Sequence, residues 1–344
     1  MKIKSLLVAM MALATMASCS NEDDATSVEN AGTPKSVRLS LDYASTRAIG
    51  DPATAGRPTL TNIYVLAYED VACTKLQQTI ALTAEQAAAL TTTDGSVNVA
   101  IPAKAMGVKM IANNGNSTVI PDPIVSYQGK NIKTEIPYVG QSVAGVQGSE
   151  LAGYTAAITI APQVARIEVS GIINATNDAN GCTVTIDGVY MNKYIANLSS
   201  PTAMVSLTSA NGTTINNATS DMYETSSATD WSSAFTATAP TKCAGYQLFA
   251  GSYGVTLAVT VTPDPVKYPG ATAEKGFIVI KKFTGVDNLQ ASKIYKLDLT
   301  ASGLEDEFHY PDTPVTPDPS GEQKTVNVTV TVTEWTVENV TPEL

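Results

Sequence analysis

The sequence predicts a mostly β chain, folded as two β-sandwich domains with a few short helices and a very regular final strand. Three observations predict it. Apolar and polar residues alternate with a period of two along much of the chain, the spacing of a half-buried strand. Turn-forming Asn, Asp, Gly and Pro separate the alternating runs. Of the 344 residues, 44% are hydrophobic and only 15% charged, enough apolar material for a core in each of two domains.

The same composition excludes several functions. The apolar fraction is too high for a disordered chain. Twenty-one Lys and Arg face 32 Asp and Glu, a formal charge of −11, which argues against a nucleic-acid partner because a phosphate backbone needs a basic face. Four Cys are too few for a disulfide scaffold. The single His, His309, cannot supply a multi-His metal site. No G-x-S-x-G elbow, P-loop or H-E-x-x-H is present, so no enzyme activity and no cofactor are expected. Glu305-Asp306-Glu307 beside His309, and Asp178-Ala179-Asn180-Gly181, have some cation-site flavour but read as solvated turns.

Residues 1–18 read as a lipoprotein signal peptide. Lys2 and Lys4 precede an apolar run from Leu6 to Met16, too short to span a bilayer. Met16-Ala17-Ser18-Cys19 follows, small residues before a Cys, so that cleavage before Cys19 would let its thiol carry lipid. The alternative is an ordinary secretory signal with a chance Cys. Acidic Glu22-Asp23-Asp24 comes next. Cys73, Cys182 and Cys243 allow at most one internal bridge, and Cys182, at the start of an alternating run, reads as a buried thiol.

The body then divides in order. Val37, Leu39, Leu41 and Tyr43 alternate with Arg38, Ser40 and Asp42 as a clean strand. A loop of small residues with Gly and Pro surrounds Arg47-Ala48, the kind of segment that proteases nick. Arg47 suits the primary pocket of a trypsin-like protease. Residues 48–161 form the first domain. In it Ile63–Tyr68 is apolar on both faces, Val97, Val99 and Ile101 alternate, and Thr83-Ala84-Glu85-Gln86 is a capping box opening a helix of two turns. Val108, Met110 and Ala112 lead into an Asn-Gly turn. Pro162 breaks the run from Tyr154 to Ile160, which places the second domain at 162–310. There Val184 and Ile186 run into Asp187-Gly188 with Val189 and Met191 beyond, the pattern of a tight hairpin. Val255 to Val261 and Tyr295 to Leu299 also alternate.

Residues 311–324 are Pro-rich and predicted to be an extended tether. In 325–344, Val326, Val328, Val330 and Val332 alternate with Thr and Asn, and Trp335 and Val337 resume one step out of phase. A bulge or a crossing to a second groove accounts for the slip. Burying four valines is worth roughly 6–12 kcal/mol, at about 1.5–3 each, and left exposed they would be an aggregation hazard. This strand is either the last strand of its own sandwich or one that fills another subunit.

Taken together, the lipobox at Cys19, the loop at Arg47-Ala48, Val164-Ala165-Arg166-Ile167-Glu168-Val169, Tyr295-Lys296-Leu297-Asp298-Leu299 and the Val-rich end with Trp335 resemble the Bacteroidales FimA-type major fimbrial subunits, the fimbrillins of type V pili. The resemblance implies transthyretin-like sandwiches and a route. The precursor is lipid-anchored to the outer membrane, and a trypsin-like surface protease cuts after Arg47. The propeptide 19–47 then leaves with its removable strand, Val37 to Tyr43. The C-terminal donor strand of the next subunit (Val326, Val328, Val330, Val332, Trp335) fills the groove, and head-to-tail contacts that do not close give a filament. Partners implied are identical subunits, accessory pilus subunits and surface receptors on host or bacterial cells. The removed segment carries five basic and five acidic residues, so cleavage would leave the net charge unchanged. The alternative is a surface tip adhesin or glycan-binding lipoprotein that does not polymerise.

Overall fold

The computed structural model describes residues 33–44, 60–92, 95–113, 136–196, 202, 204–210, 214–216, 218, 222–284, 286, 288–319, 326–329, 331–334 and 337–338. The chain is mostly β. The N-terminal domain is built from β1 (Lys35–Ala44), β2 (Tyr64–Tyr68), β3 (Leu76–Ala81), α1 (Ala84–Leu90), β4 (Ser96–Ile101), β5 (Gly107–Ala112), β6 (Tyr138–Gln141), β7 (Gln147–Ser149) and β8 (Gly153–Pro162). These strands are hydrogen-bonded into one sheet in the order β1-β8-β6-β5-β2-β3, with β4 on β1 and β7 on β8. β2 is buried on both faces, as its two-sided apolar sequence predicts. Thr83 closes the predicted capping box with Gln86, and Leu90 drops into the core. Asn113, left-handed at φ 58°, accepts from the Thr61 amide and donates to the Ile136 carbonyl, tying together the residues before β2, after β5 and before β6.

The C-terminal domain contains β9 (Val164–Ser170), β10 (Cys182–Asn192), β11 (Tyr194–Ile195), β12 (Met204–Val205), β13 (Thr208–Ala210), β14 (Thr214–Asn216), β15 (Tyr223–Thr225), α2 (Trp231–Phe235), β16 (Ala244–Phe249), β17 (Gly254–Pro263), β18 (Glu274–Thr284) and β19 (Lys293–Asp298). The last elements are β20 (Val326–Thr329), β21 (Thr331–Glu334) and β22 (Val337–Glu338). Two sheets, β15-β10-β17-β18-β20 and β16-β9-β19-β21, share one core between them. Sheet membership changes across Gln163, between β8 and β9. Val164, Ile195, Phe249 and Ile294 of the second domain are buried with the core of the first, and Ser292 ties to the Val164 and Pro162 carbonyls.

Four sequence expectations change in detail. Asp187-Gly188 is not a hairpin turn. β10 runs straight through it, with a register shift between Ile186 and Gly188 against β17. The extra residue is accommodated as a bulge because β17 offers a long partner on the far side. The second change is α2, a one-turn helix that alternation does not announce. Its Trp231 and Phe235 rings lie 4.3 Å apart and close the C-terminal core. Third, the Pro-rich segment up to Pro319 is seated on the domain. Phe277 and Thr316 exchange backbone hydrogen bonds of 2.8 and 2.9 Å, and Gly276 leaves the space that Val315 occupies. Fourth, the single long strand read from 325 to 333 is two strands in two different sheets.

Cys182 and Cys243 are buried free thiols and Cys73 is half-buried. The Glu305–Glu307 turn lies in a short 3₁₀ helix, Leu304–Glu307, and the Asn180 amide donates to the carbonyls of Glu305 within it and Phe308 just after it. Among the described residues no helix is long and apolar enough to cross a membrane, and no group of three or more His, Cys, Asp or Glu could hold a metal ion.

Candidate functional site

The site is the slot that β1 fills. β1 is bonded along both edges. Val37 to Tyr43 run parallel to Tyr154–Ile160 of β8, and Lys35 to Ser40 run antiparallel to Ser96–Ile101 of β4. Strand alternation sends Val37, Leu39 and Leu41 inward, where the first two have no solvent exposure and Leu41 is 4% exposed. They meet Val97, Val99, Ala156, Ile158 and Ile160 in the core. Arg38 faces outward and donates to Ser96 Oγ at 2.9 Å. The Lys35 ammonium sits 4.9 Å above the Tyr154 ring, and partial burial lowers its pKa. Gln86 of α1 donates to the Asn98 carbonyl, so the helix holds β4 in place beside β1.

This arrangement makes β1 an interior strand donated by the beginning of the chain. Burying its three inward side chains is worth about 4.5–9 kcal/mol, similar to the whole stability of a typical domain, about 5–15 kcal/mol. Without β1 the facing edges of β4 and β8 would both lose their partners, and three apolar pockets would open at period-two spacing. Such a slot demands an extended apolar strand.

At the other end of the chain, β20 lies at one sheet edge, parallel to β18, with Val326 opposite Ile280 and Val328 opposite Phe283. β21 lies at the edge of the other sheet, with Val332 opposite Tyr295 and Glu334 opposite Lys293. β22 pairs Val337 with Ala44 and Glu338 with Tyr43 at the end of β1. Each piece is bonded along one side only among the described pairings, so the segment can leave without unpairing an interior strand. Cys19, Arg47, Ala48, Val330 and Trp335 lie outside the described residues. Tyr43, Val326, Val328 and Val332 are placed by their backbones.

Sequence reasoning finds β1 and the Val-rich end but not the bond between them through β22, because a two-residue pairing leaves no periodic signal. It also misses the buried pair on β9. Arg166 Nε donates to Glu168 Oε1 at 2.6 Å, with both residues at or below 3% exposure. Lys296 approaches the other carboxylate oxygen at 4.0 Å. Nearby, burial and then the Glu168 charge push the Cys243 thiol up to about 12. The only trace in the sequence is Arg and Glu at polar positions of an otherwise apolar strand.

No family model matches the sequence, and no curated protein is similar to it in sequence. Solved structures are similar in fold. A candidate cell adhesion protein from Bacteroides eggerthii aligns over 89% of this chain and 98% of its own at 15% identity, with a TM-score of 0.52. The fimbrilin FimA from Porphyromonas gingivalis aligns over 90% of this chain and 100% of its own at 12% identity, with a TM-score of 0.50. Across both domains, the chain has the fold of a fimbrillin.

Proposed function

We propose that the protein is a structural subunit of a cell-surface fimbria that polymerises by exchange of strands between copies. The observation that carries this reading is β1, an interior strand supplied by the first described residues of the chain and followed in the sequence by Arg47. In this reading the precursor is lipidated at Cys19 and displayed at the cell surface. A trypsin-like protease cuts after Arg47, and β1 leaves. The Val-rich segment of another copy then enters between β4 and β8. Arg57 is a second Arg in the sequence after β1, but Pro58 after it blocks a trypsin-like cut.

Three features support the exchange. The C-terminal pieces sit at sheet edges, so their release leaves both sheets intact. The pockets of Val37, Leu39 and Leu41 repeat at the spacing of Val326, Val328, Val330 and Val332. A valine in the Leu39 pocket falls one methylene short, at a cost of about 0.5–1.5 kcal/mol, small against the gain from closing two open edges. β22 is bonded to the end of β1, so losing β1 opens the slot and also unpins the end of the donor segment of the same copy, whose β20 and β21 stay on their sheet edges until exchange. The fold shared with a fimbrilin and a candidate cell adhesion protein supports a fimbrial or adhesive role, with accessory subunits and surface receptors as partners.

The test is a pair of variants expressed with the processing protease. Arg47→Ala should stay monomeric, and deletion of residues 325–344 should abolish polymer growth while leaving a folded body. SDS-resistant ladders from either variant would sink the reading.

A further inference from the structure

The bulge in β10 has an effect on the solvent face of its sheet. Cross-strand register sets Thr225, Gly188, Ala258 and Phe277 in one row across β15, β10, β17 and β18. The two middle members have almost no side chain; the Tyr190 ring covers Gly188, and half-buried Ala258 is left as the floor of a depression beside it. On one side of it stands the Tyr190–Tyr223 pair, adjacent register partners with ring centroids 5.2 Å apart and planes within 19°. Tyr190 leans across Gly188, where a Cβ would stand 2.8 Å from its ring. On the other side lie Thr260 and Lys275, register partners, and Asp187, the residue that the bulge adds. Thr260 Oγ1 donates to Asp187 Oδ2 at 2.5 Å and holds the carboxylate, while the Ser226 amide donates to the Asp187 backbone carbonyl and fixes the chain beneath it. The groove encloses about 720 Å³, within the range of ligand sites, about 300–1,000 Å³.

We infer that this groove binds a neutral glycan, with a pyranose ring laid on the depression between the tyrosine pair and the Asp187–Lys275 side. A pyranose has an apolar face of C–H groups and a rim of hydroxyls. The apolar face suits an aromatic wall. The hydroxyls can donate to a fixed carboxylate and accept from an ammonium. One negative and one positive group on the same side leave the groove without strong net charge, and a chain of net charge −11 repels polyanionic glycans. Bulges recur where a side chain must be re-aimed beside a site, and here the bulge is what turns Asp187 outward.

The site lies in the C-terminal domain, away from the β1 slot, and does not depend on polymerisation. The purified full-length Arg47→Ala chain should therefore bind as well as the unmodified one. The test is saturation-transfer NMR and titration calorimetry with neutral hexasaccharides of glucose, mannose, galactose and xylose, beside sialylated and sulfated glycans. At least one neutral series should bind. Tyr190→Ala, Tyr223→Ala and Asp187→Asn should each weaken it about tenfold, the loss of one stacking or hydrogen-bonding contact. Val266→Ser, at an exposed loop of the same domain, should leave it unchanged. Asp187→Asn keeps the side-chain shape, and an unaltered melting curve shows that its effect is on binding. Absence of binding to every neutral series at millimolar sugar overturns the inference. So does binding confined to acidic glycans, or affinity retained in a folded Tyr190→Ala/Asp187→Asn variant.

Discussion

Leu39→Ala isolates the contribution of β1 to the N-terminal domain. Leu39 has no solvent exposure and lies between Val97 on β4 and Ala156 on β8. Truncating a buried leucine costs about 2–5 kcal/mol, rising with the cavity that remains. Ala156 has no longer side chain to fold into the space, and β1 is clamped along both edges, so collapse is restricted and the upper part of that range, about 3–5 kcal/mol, is expected. That is a large fraction of a typical total of about 5–15 kcal/mol. The measurement is urea unfolding of the uncleaved Arg47→Ala precursor with and without Leu39→Ala. It should be followed by far-UV circular dichroism and by hydrogen exchange of the β8 amides. Trp231 closes the C-terminal core, so its fluorescence does not report on β1. A cost under about 0.5 kcal/mol in the precursor, the level of an ordinary surface change, would refute the claim that β1 is an integral interior strand.

Three further outcomes follow from the packing. Arg166→Met should destabilise the C-terminal domain by about 3–5 kcal/mol by stranding the buried Glu168 carboxylate, whereas Arg166→Met with Glu168→Leu should recover much of that loss; chemical denaturation checks both. Gly276→Val should force Val315 and Thr316 off β18, because even a Cβ would lie 2.3 Å from Val315 Cγ1. The expected cost is about 1–3 kcal/mol, with new protease sensitivity between Pro311 and Pro319. The buried Cys243 thiol is held neutral, raised from 9.0 to about 12 chiefly by burial. The stability it contributes is present below pH 9 and is lost as pH climbs from 9 towards 12. Cys243→Ala should therefore show a shallower fall in urea midpoint over that interval than the unmodified protein, and equal slopes would count against a neutral buried thiol.

Much of the fold is legible in the sequence because strand burial writes itself as alternation. β4, β8 and β17 follow their apolar residues nearly to the end, and Thr83 and Gln86 announce α1 through a local hydrogen-bond pattern. The errors arise where two structures share one local code. Asp187-Gly188 favours a hairpin turn and also a bulge, and only the length of β17 opposite decides between them. The Val-Thr alternation after residue 325 specifies strand geometry but not which sheet receives it, so one run becomes β20 and β21 on opposite sheets. Of the candidate site, the inward residues of β1 were readable from period two alone. Their placement between β4 and β8, and the bond from β22, are long-range pairings that no local pattern encodes.

The exchange of strands is tested most directly by cross-linking across the slot. A cysteine at Ala156, which borders β1, and a second at Val328, which pairs with Phe283 in this structure, can form a disulfide only if their Cβ atoms approach to about 3.5–4.5 Å. Equal amounts of two chains, each carrying one of these cysteines, should give a covalent dimer after proteolysis at Arg47, and none before it. A cut chain that shows a new start at Ala48 yet forms no 156–328 cross-link, while still assembling into filaments, would contradict the account.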